Sequence, residues 1–281
     1  MRKIQITAEL MISYAKSLRD EERSEATVVR YTRALRQYGE FLSGNEANRV
    51  SACAWRESLA ASGRAASGIN VAVAAVNRLF DMLGAHSERI KPLRVQRKVF
   101  RPEGRELTRA EYERLIDTAH AAGRERLALL LEAICATGIR VSEVRYLSVE
   151  AVRAGRAEIR LKGKVRYVLL PGKLCRKLMR YAKAEKISSG ELFVTRTGRG
   201  LTRGQIWAEM KSLCAVADVE PGKVFPHNLR HLFARTFYRV SRDIARLDDV
   251  LGHSSIETTR IYLLTTSAEH ERTLEKLGLV S

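Results

Sequence analysis

A chain of 281 residues is long enough to bury two hydrophobic cores, and it carries a formal net charge of +18, with 50 Lys and Arg against 32 Asp and Glu. So large a positive excess repels itself unless a polyanion neutralises it, and nucleic acid is the first candidate. A membrane-spanning role is excluded, because no apolar run approaches the ~20 residues that cross a bilayer.

From Thr7 to about Gly84 apolar residues recur at three and four spacing, as in Val28, Tyr31, Leu35 and Tyr38, and strand-like alternation is absent. Breaks near Arg23 to Ser24, Gly44 to Asn45 and Ser62 to Gly63 divide this stretch into about four helices. A small helical domain is expected over residues 1–85. Acidic Glu9 interrupts the stretch where a secretory apolar segment would continue, so a cytoplasmic protein is expected. Between His86 and Glu106 the text turns basic and aperiodic and holds two prolines, Pro92 and Pro102, which reads as a linker over 86–106. Extended at roughly 3.3 Å per residue, it can span a duplex and let two domains grip opposite faces of DNA.

The second domain is expected over 107–281 and opens on a capping box, Thr108 with Glu111, followed by helices to about Leu147. The segment RAEIRLKGKVRYVLLP alternates around Lys162, Gly163 and Lys164 and predicts a β-hairpin with a basic tip. A helix from about Gly172 to Lys186, a short strand ELFVTR, and helical segments headed by Pro226, Ser241 and Ser254 complete the chain. The fold class is therefore mainly α with a small β-sheet: a helical domain followed by a mixed α/β domain. Cys53, Cys135, Cys175 and Cys214 form no C-x-x-C pair, so neither a zinc site nor a redox dithiol is expected.

Four patterns fall in order along the second domain: ATGIRVSEV with Arg140, the KGK tip, HNLRH with His227 and Arg230, and LGHSS with His253, followed nine residues later by Tyr262. Each has a chemical reason. His227 and Arg230 are three apart and share a helix face. An arginine fork donates two parallel hydrogen bonds to phosphate oxygens at any working pH, so Arg140 and Arg230 together suit the extra charge of a pentavalent phosphorane. A tyrosine hydroxyl, with a reference pKa of about 10, attacks only beside a proton acceptor, for which His227 is placed. The leaving 5′ oxygen needs a proton, and Lys162 or Lys164 on a hairpin can supply it. His253, just after a helix-ending glycine, is placed to hydrogen-bond the same phosphate. Glu143 is expected to buttress Arg140 by an ion pair, and His231 to support its helix. No acidic metal cluster and no nucleotide loop are evident, so no cofactor and no metal are expected.

Together ATGIRVSE, KGK, HNLRH, LGHSS and IETTRIY resemble the catalytic domain of tyrosine recombinases, also called phage integrases, over about Leu107 to Leu264, and the helical segment before it resembles their core-binding domain. The resemblance implies Arg140, Arg230, His227, His253 and Tyr262 as the catalytic set. Lys162 completes it, because the Lys-Gly step of the family's hairpin aligns there, although this hairpin is shorter than usual. It further implies strand exchange through a 3′-phosphotyrosyl intermediate without ATP, by a homotetramer on double-stranded DNA, with a C-terminal helix at about Ser267 to Leu277 docking on a neighbour. In size the chain is similar to compact Xer-like or mobile-element recombinases. The competing readings are a topoisomerase-like nicking and resealing enzyme and a non-catalytic DNA-binding protein.

Overall fold

The computed structural model describes residues 3–94, 104–161, 164–252, 256–260 and 262. The chain divides into two compact units, Met1–Arg97 and Lys98–Ser281.

The first unit is built on four helices: α1 (Ala8–Asp20), α2 (Glu25–Leu42), α3 (Arg49–Ala61) and α4 (Ala66–Met82). Helix α4 is the most apolar of them and lies at the centre, burying Ile69, Val73, Val76, Leu79 and Phe80 against Tyr14, Leu18, Leu35, Tyr38 and Trp55. The buried tyrosines find partners: the Tyr14 hydroxyl donates to the Ala75 carbonyl at 2.8 Å, and the Tyr38 hydroxyl lies 2.7 Å from Ser51 Oγ. A true capping box at Asn48 and Ser51 starts α3.

The segment after α4 departs from the expected loose linker as far as Arg94. His86–Glu88 forms a 3-10 turn, Ile90 is buried, and Leu93 packs on the same core. The reason lies on α4, where Asn70 and Asn77 stand two helical turns apart. Each side-chain amide pairs with one backbone unit as a neighbouring strand would: Asn77 with the N–H (2.9 Å) and carbonyl (2.8 Å) of Ile90, Asn70 with those of Leu93 (2.7 and 3.0 Å). The rest of the expected linker, residues 95–103, lies outside the described residues.

The second unit runs α5 (Arg109–Ala121), α6 (Glu125–Thr137), a 3-10 turn at Val141–Tyr146, α7 (Val149–Arg153), β1 (Arg156–Leu161), β2 (Lys164–Leu169), α8 (Gly172–Ala184), α9 (Arg203–Lys211), α10 (Pro226–Ser241), α11 (Ile244–Leu251) and α12 (Ile256–Arg260). Helix α6 buries Leu127 through Leu131, Ala133 and Ile134, and α5, α8 and α10 pack around it. The capping box that opens α5 is present: Thr108 N–H donates to Glu111 at 2.7 Å and Glu111 N–H to Thr108 Oγ1 at 3.2 Å.

Strands β1 and β2 form an antiparallel hairpin in which Ile159 faces Arg166 and Ala157 faces Val168. Ala157, Ile159 and Val168 are buried while Val165, Tyr167 and Leu169 are exposed, so the position on β2 that points inward beside Val168 is taken by Arg166. Two expectations are corrected. ELFVTR is no strand: it makes only isolated bridges, Ser148 to Glu191 and Val194 to Gly200, and its consecutive Leu192 and Phe193 are both buried, because no neighbouring strand continues the ladder. Ser241 ends α10 rather than heading the next helix. Arg242 turns left-handed, and Asp243 caps α11 by accepting from Arg246 N–H at 3.0 Å. Among the described residues no helix is long and apolar enough to cross a membrane.

The Asn77 clamp sets a prediction: Asn77→Ala leaves two backbone groups of Ile90 without their partner and is expected to cost about 1–3 kcal/mol. Urea denaturation and amide exchange at Ile90 would show this as a lowered midpoint and lost protection.

Candidate active site

Helix α6 ends at Gly138, whose φ of +64° is left-handed, and a Cβ there would lie 2.5 Å from a ring carbon of Phe233. Only glycine combines that turn with that approach. The turn delivers Arg140 to the start of the 3-10 segment, where its N–H donates to Glu143 Oε2 at 2.9 Å and its Nη1 to Glu143 Oε1 at 3.0 Å. Glu143 is 1% exposed. Burial raises its carboxyl, but the Arg140 N–H, the Arg166 charge and hydrogen bonds from both side chains outweigh this and hold it below the ordinary carboxylate value.

Pro226 opens α10 at a position where its missing N–H costs nothing, and His227 and Arg230 follow three residues apart on one face. Arg230 is 2% exposed. Its Nη1 donates to the Gly138 carbonyl, its Nη2 to the Leu251 carbonyl at 2.8 Å and its Nε to the Tyr262 hydroxyl at 3.4 Å. Burial lowers its pKa, the Tyr262 hydrogen bond opposes this, and repulsion from Arg140 and Arg166 adds to it.

The C-terminal carbonyls of α11 collect two further arginines. Arg140 Nη2 reaches the Gly252 carbonyl at 3.3 Å, and Arg166 Nη1 reaches those of Leu251 at 3.0 Å and Val250 at 3.3 Å. Gly252, left-handed at φ +59°, closes the helix.

Tyr262 is buried against Ala234, Leu247 and Leu251, and α12, which precedes it, is tied to α11 by the hydrogen bond from Thr259 to Asp248. Its ring centroid is 5.8 Å from that of His227 and 4.4 Å from that of His231, and the two histidine rings meet edge-on at 4.7 Å. A cleft of about 650 Å³ is lined by Arg140, His227, Arg230 and Tyr262, with Arg203 and Trp207 of α9 on its wall. Burial first, then the charges of Arg230 and Arg140, push the His227 imidazole below its ordinary pKa. Both effects favour its neutral form.

Four expected residues, Arg140, His227, Arg230 and Tyr262, thus share one cleft. Lys162, His253 and the C-terminal helix lie outside the described residues, as does the Lys164 side chain. Sequence reasoning missed Arg166, whose only signal is a charge at an inward strand position, and it did not bring His231 against Tyr262, although the spacing of His227 and His231 stacks them on one helix face.

The sequence profile of the phage integrase family matches residues 105–269, and that of the phage integrase N-terminal SAM-like domain matches residues 11–86. The chain belongs to the phage integrase family. Among relatives, this integrase is similar to the tyrosine recombinase XerA of Thermococcus kodakarensis, at 32% identity over 270 residues, 92% of each chain. Its fold is shared with the XerH site-specific recombinase bound to its difH substrate (TM-score 0.70, 20% identity, 95% of this chain and 84% of that one). A lambda integrase tetramer bound to a Holliday junction has the same fold (TM-score 0.72, 15% identity, 93% and 78% covered). As a tyrosine recombinase, the integrase cleaves and rejoins DNA strands by transesterification in site-specific recombination.

The charge environment of His227 is directly measurable in the free protein. Its NMR titration midpoint is expected below the ordinary value of about 6.5, and Arg140→Ala, by removing a like charge, should raise it. A midpoint above the ordinary value would contradict the described environment.

Proposed function

We propose that Tyr262 is the nucleophile of this recombinase, Arg140 and Arg230 the phosphate clamp, and His227 the proton acceptor. The observation that carries this is the hydrogen bond from Arg230 to the Tyr262 hydroxyl, which puts a nucleophile beside a guanidinium in the cleft that Arg140 and His227 also line. When a DNA phosphate enters, its non-bridging oxygens compete with the α11 carbonyls for the two forks, as charged acceptors that bind more strongly than neutral ones. The Tyr262 oxygen bonds to phosphorus as its proton passes to His227, and the bond from phosphorus to the 5′ oxygen breaks, leaving a 3′-phosphotyrosyl link. A lysine of the hairpin, Lys162 or Lys164, protonates the departing oxygen, and His253 adds a hydrogen bond to the phosphate. Attack by a 5′-hydroxyl of the partner duplex reverses each step, so one phosphodiester is exchanged for another and no nucleotide cofactor is consumed.

The first unit serves as a core-binding domain in this reading. Arg30 and Arg33 of α2 and Arg64 before α4 edge one groove of it, suited to salt-dependent phosphate contacts. Exchange between two duplexes requires four active sites, so a homotetramer on paired sites in the cytoplasm is the working assembly, as the family resemblance implies.

Covalent trapping on nicked duplexes carrying candidate sites tests the assignment. Wild type is expected to form a denaturation-resistant protein–DNA adduct and Tyr262→Phe none, with DNA binding nearly unchanged; an adduct from the Phe variant would move the nucleophile elsewhere. Arg230→Ala should slow adduct formation by roughly 10²-fold or more.

A further inference from the structure

Arg166 lines no part of the cleft, yet it touches the supports of both arginines that do. It stands on β2 opposite Ile159, and its side chain is only 19% exposed. An arginine that far from water must be compensated by acceptors. Its Nη2 donates to Glu143 Oε2 at 2.5 Å, the oxygen that also accepts the Arg140 N–H, while Oε1 of the same carboxylate holds Arg140 Nη1. Its Nη1 donates to the Leu251 carbonyl, the group that accepts Arg230 Nη2. The backbone makes room for this bridge: a Cβ on Gly252 would fall 2.5 Å from Arg166 Cδ and 2.9 Å from its Nη1.

We infer that Arg166 is a positioning residue that sets the spacing of Arg140 and Arg230, acting on the first through the Glu143 carboxylate and on the second through the Leu251 carbonyl. The inference rests on the assignment of those two arginines as the phosphate clamp. One guanidinium fork thereby couples the β-hairpin, the 3-10 turn and the end of α11, so the two catalytic forks are held relative to each other rather than separately. The same strand also leads from the lysine-bearing tip, which gives a distinct alternative in which Arg166 serves the leaving-group acid.

Two altered duplexes separate these routes. A methylphosphonate at the scissile position removes one negative non-bridging oxygen and so relieves the demand on the arginine clamp. A bridging sulfur at the 5′ position leaves as a thiolate and relieves the demand on the acid. Adduct formation is measured at saturating DNA for wild type, Arg166→Gln, Arg166→Lys and Glu143→Gln, each variant compared with wild type on the same duplex. Arg166→Gln is expected to fall about 10²-fold on the all-phosphate duplex, the scale of a small misplacement of catalytic groups, with DNA affinity unchanged. Most of that loss should disappear on the methylphosphonate and persist on the sulfur duplex. Glu143→Gln should share this signature, and Arg166→Lys, which keeps the charge without the fork, should lie between.

Rescue by sulfur alone would assign Arg166 to the acid and overturn the inference. Rescue by neither duplex would make it merely structural, and wild-type rates on every duplex would also refute it. Absence of an adduct from wild type on the all-phosphate duplex would instead remove the underlying assignment, and the inference with it.

Discussion

The C-terminal end of α11 is the constraint on which the site depends. A helix end leaves carbonyls without intrahelical donors and carries the negative end of the helix dipole. Here the carbonyls of Val250, Leu251 and Gly252 accept from Arg166, Arg230 and Arg140. Three like charges gather at one point only because these dipoles, together with the buried Glu143 carboxylate, offset their repulsion and desolvation. In the proposed reading, a DNA phosphate entering the cleft would meet cations already collected, held by protein dipoles that are weaker acceptors than itself.

Two glycines make this arrangement sterically possible. Gly138 ends α6 where the Phe233 ring approaches, and Gly252 ends α11 where Arg166 passes. Both are left-handed, so each serves the turn and the close approach together. The carbonyl of each also accepts from an arginine of the cleft, Gly138 from Arg230 and Gly252 from Arg140. Chain reversal and the anchoring of the cleft arginines are thus served by the same residues.

The net charge of +18 acts at a different scale. It favours association with DNA through counterion release and carries little sequence information. What distinguishes the cleft from the rest of a basic surface is burial: Arg230 and Tyr262 are almost wholly enclosed, so their electrostatics are screened far less than those of exposed lysines. In the proposed reading, affinity and chemistry therefore rest on different arginines, exposed ones and enclosed ones.

Much of the chain was legible because its signals are local. The helices of the first unit follow from apolar spacing, the start of α5 from Thr108 and Glu111, the hairpin from alternation around Gly163, and Arg140, His227, Arg230 and Tyr262 from short motifs whose order is characteristic of phage integrases. Within each motif the residues lie a few positions apart, where backbone geometry fixes which side chains are neighbours; only the order of the motifs along the chain linked them to one another. Tertiary structure decided the rest. Alternation in KVRYVL does not say which face turns inward, and packing placed Arg166 inside while Val165, Tyr167 and Leu169 stayed out. Residues after α4 read as free linker, yet Asn70 and Asn77 bind their backbone across 23 and 13 positions. The contacts of Arg166 with Glu143 and Leu251 span 23 and 85 positions. Such contacts exist only once helices and hairpin have packed, because a sequence specifies the chemistry of a side chain but not the distant carbonyl that the folded chain brings to meet it.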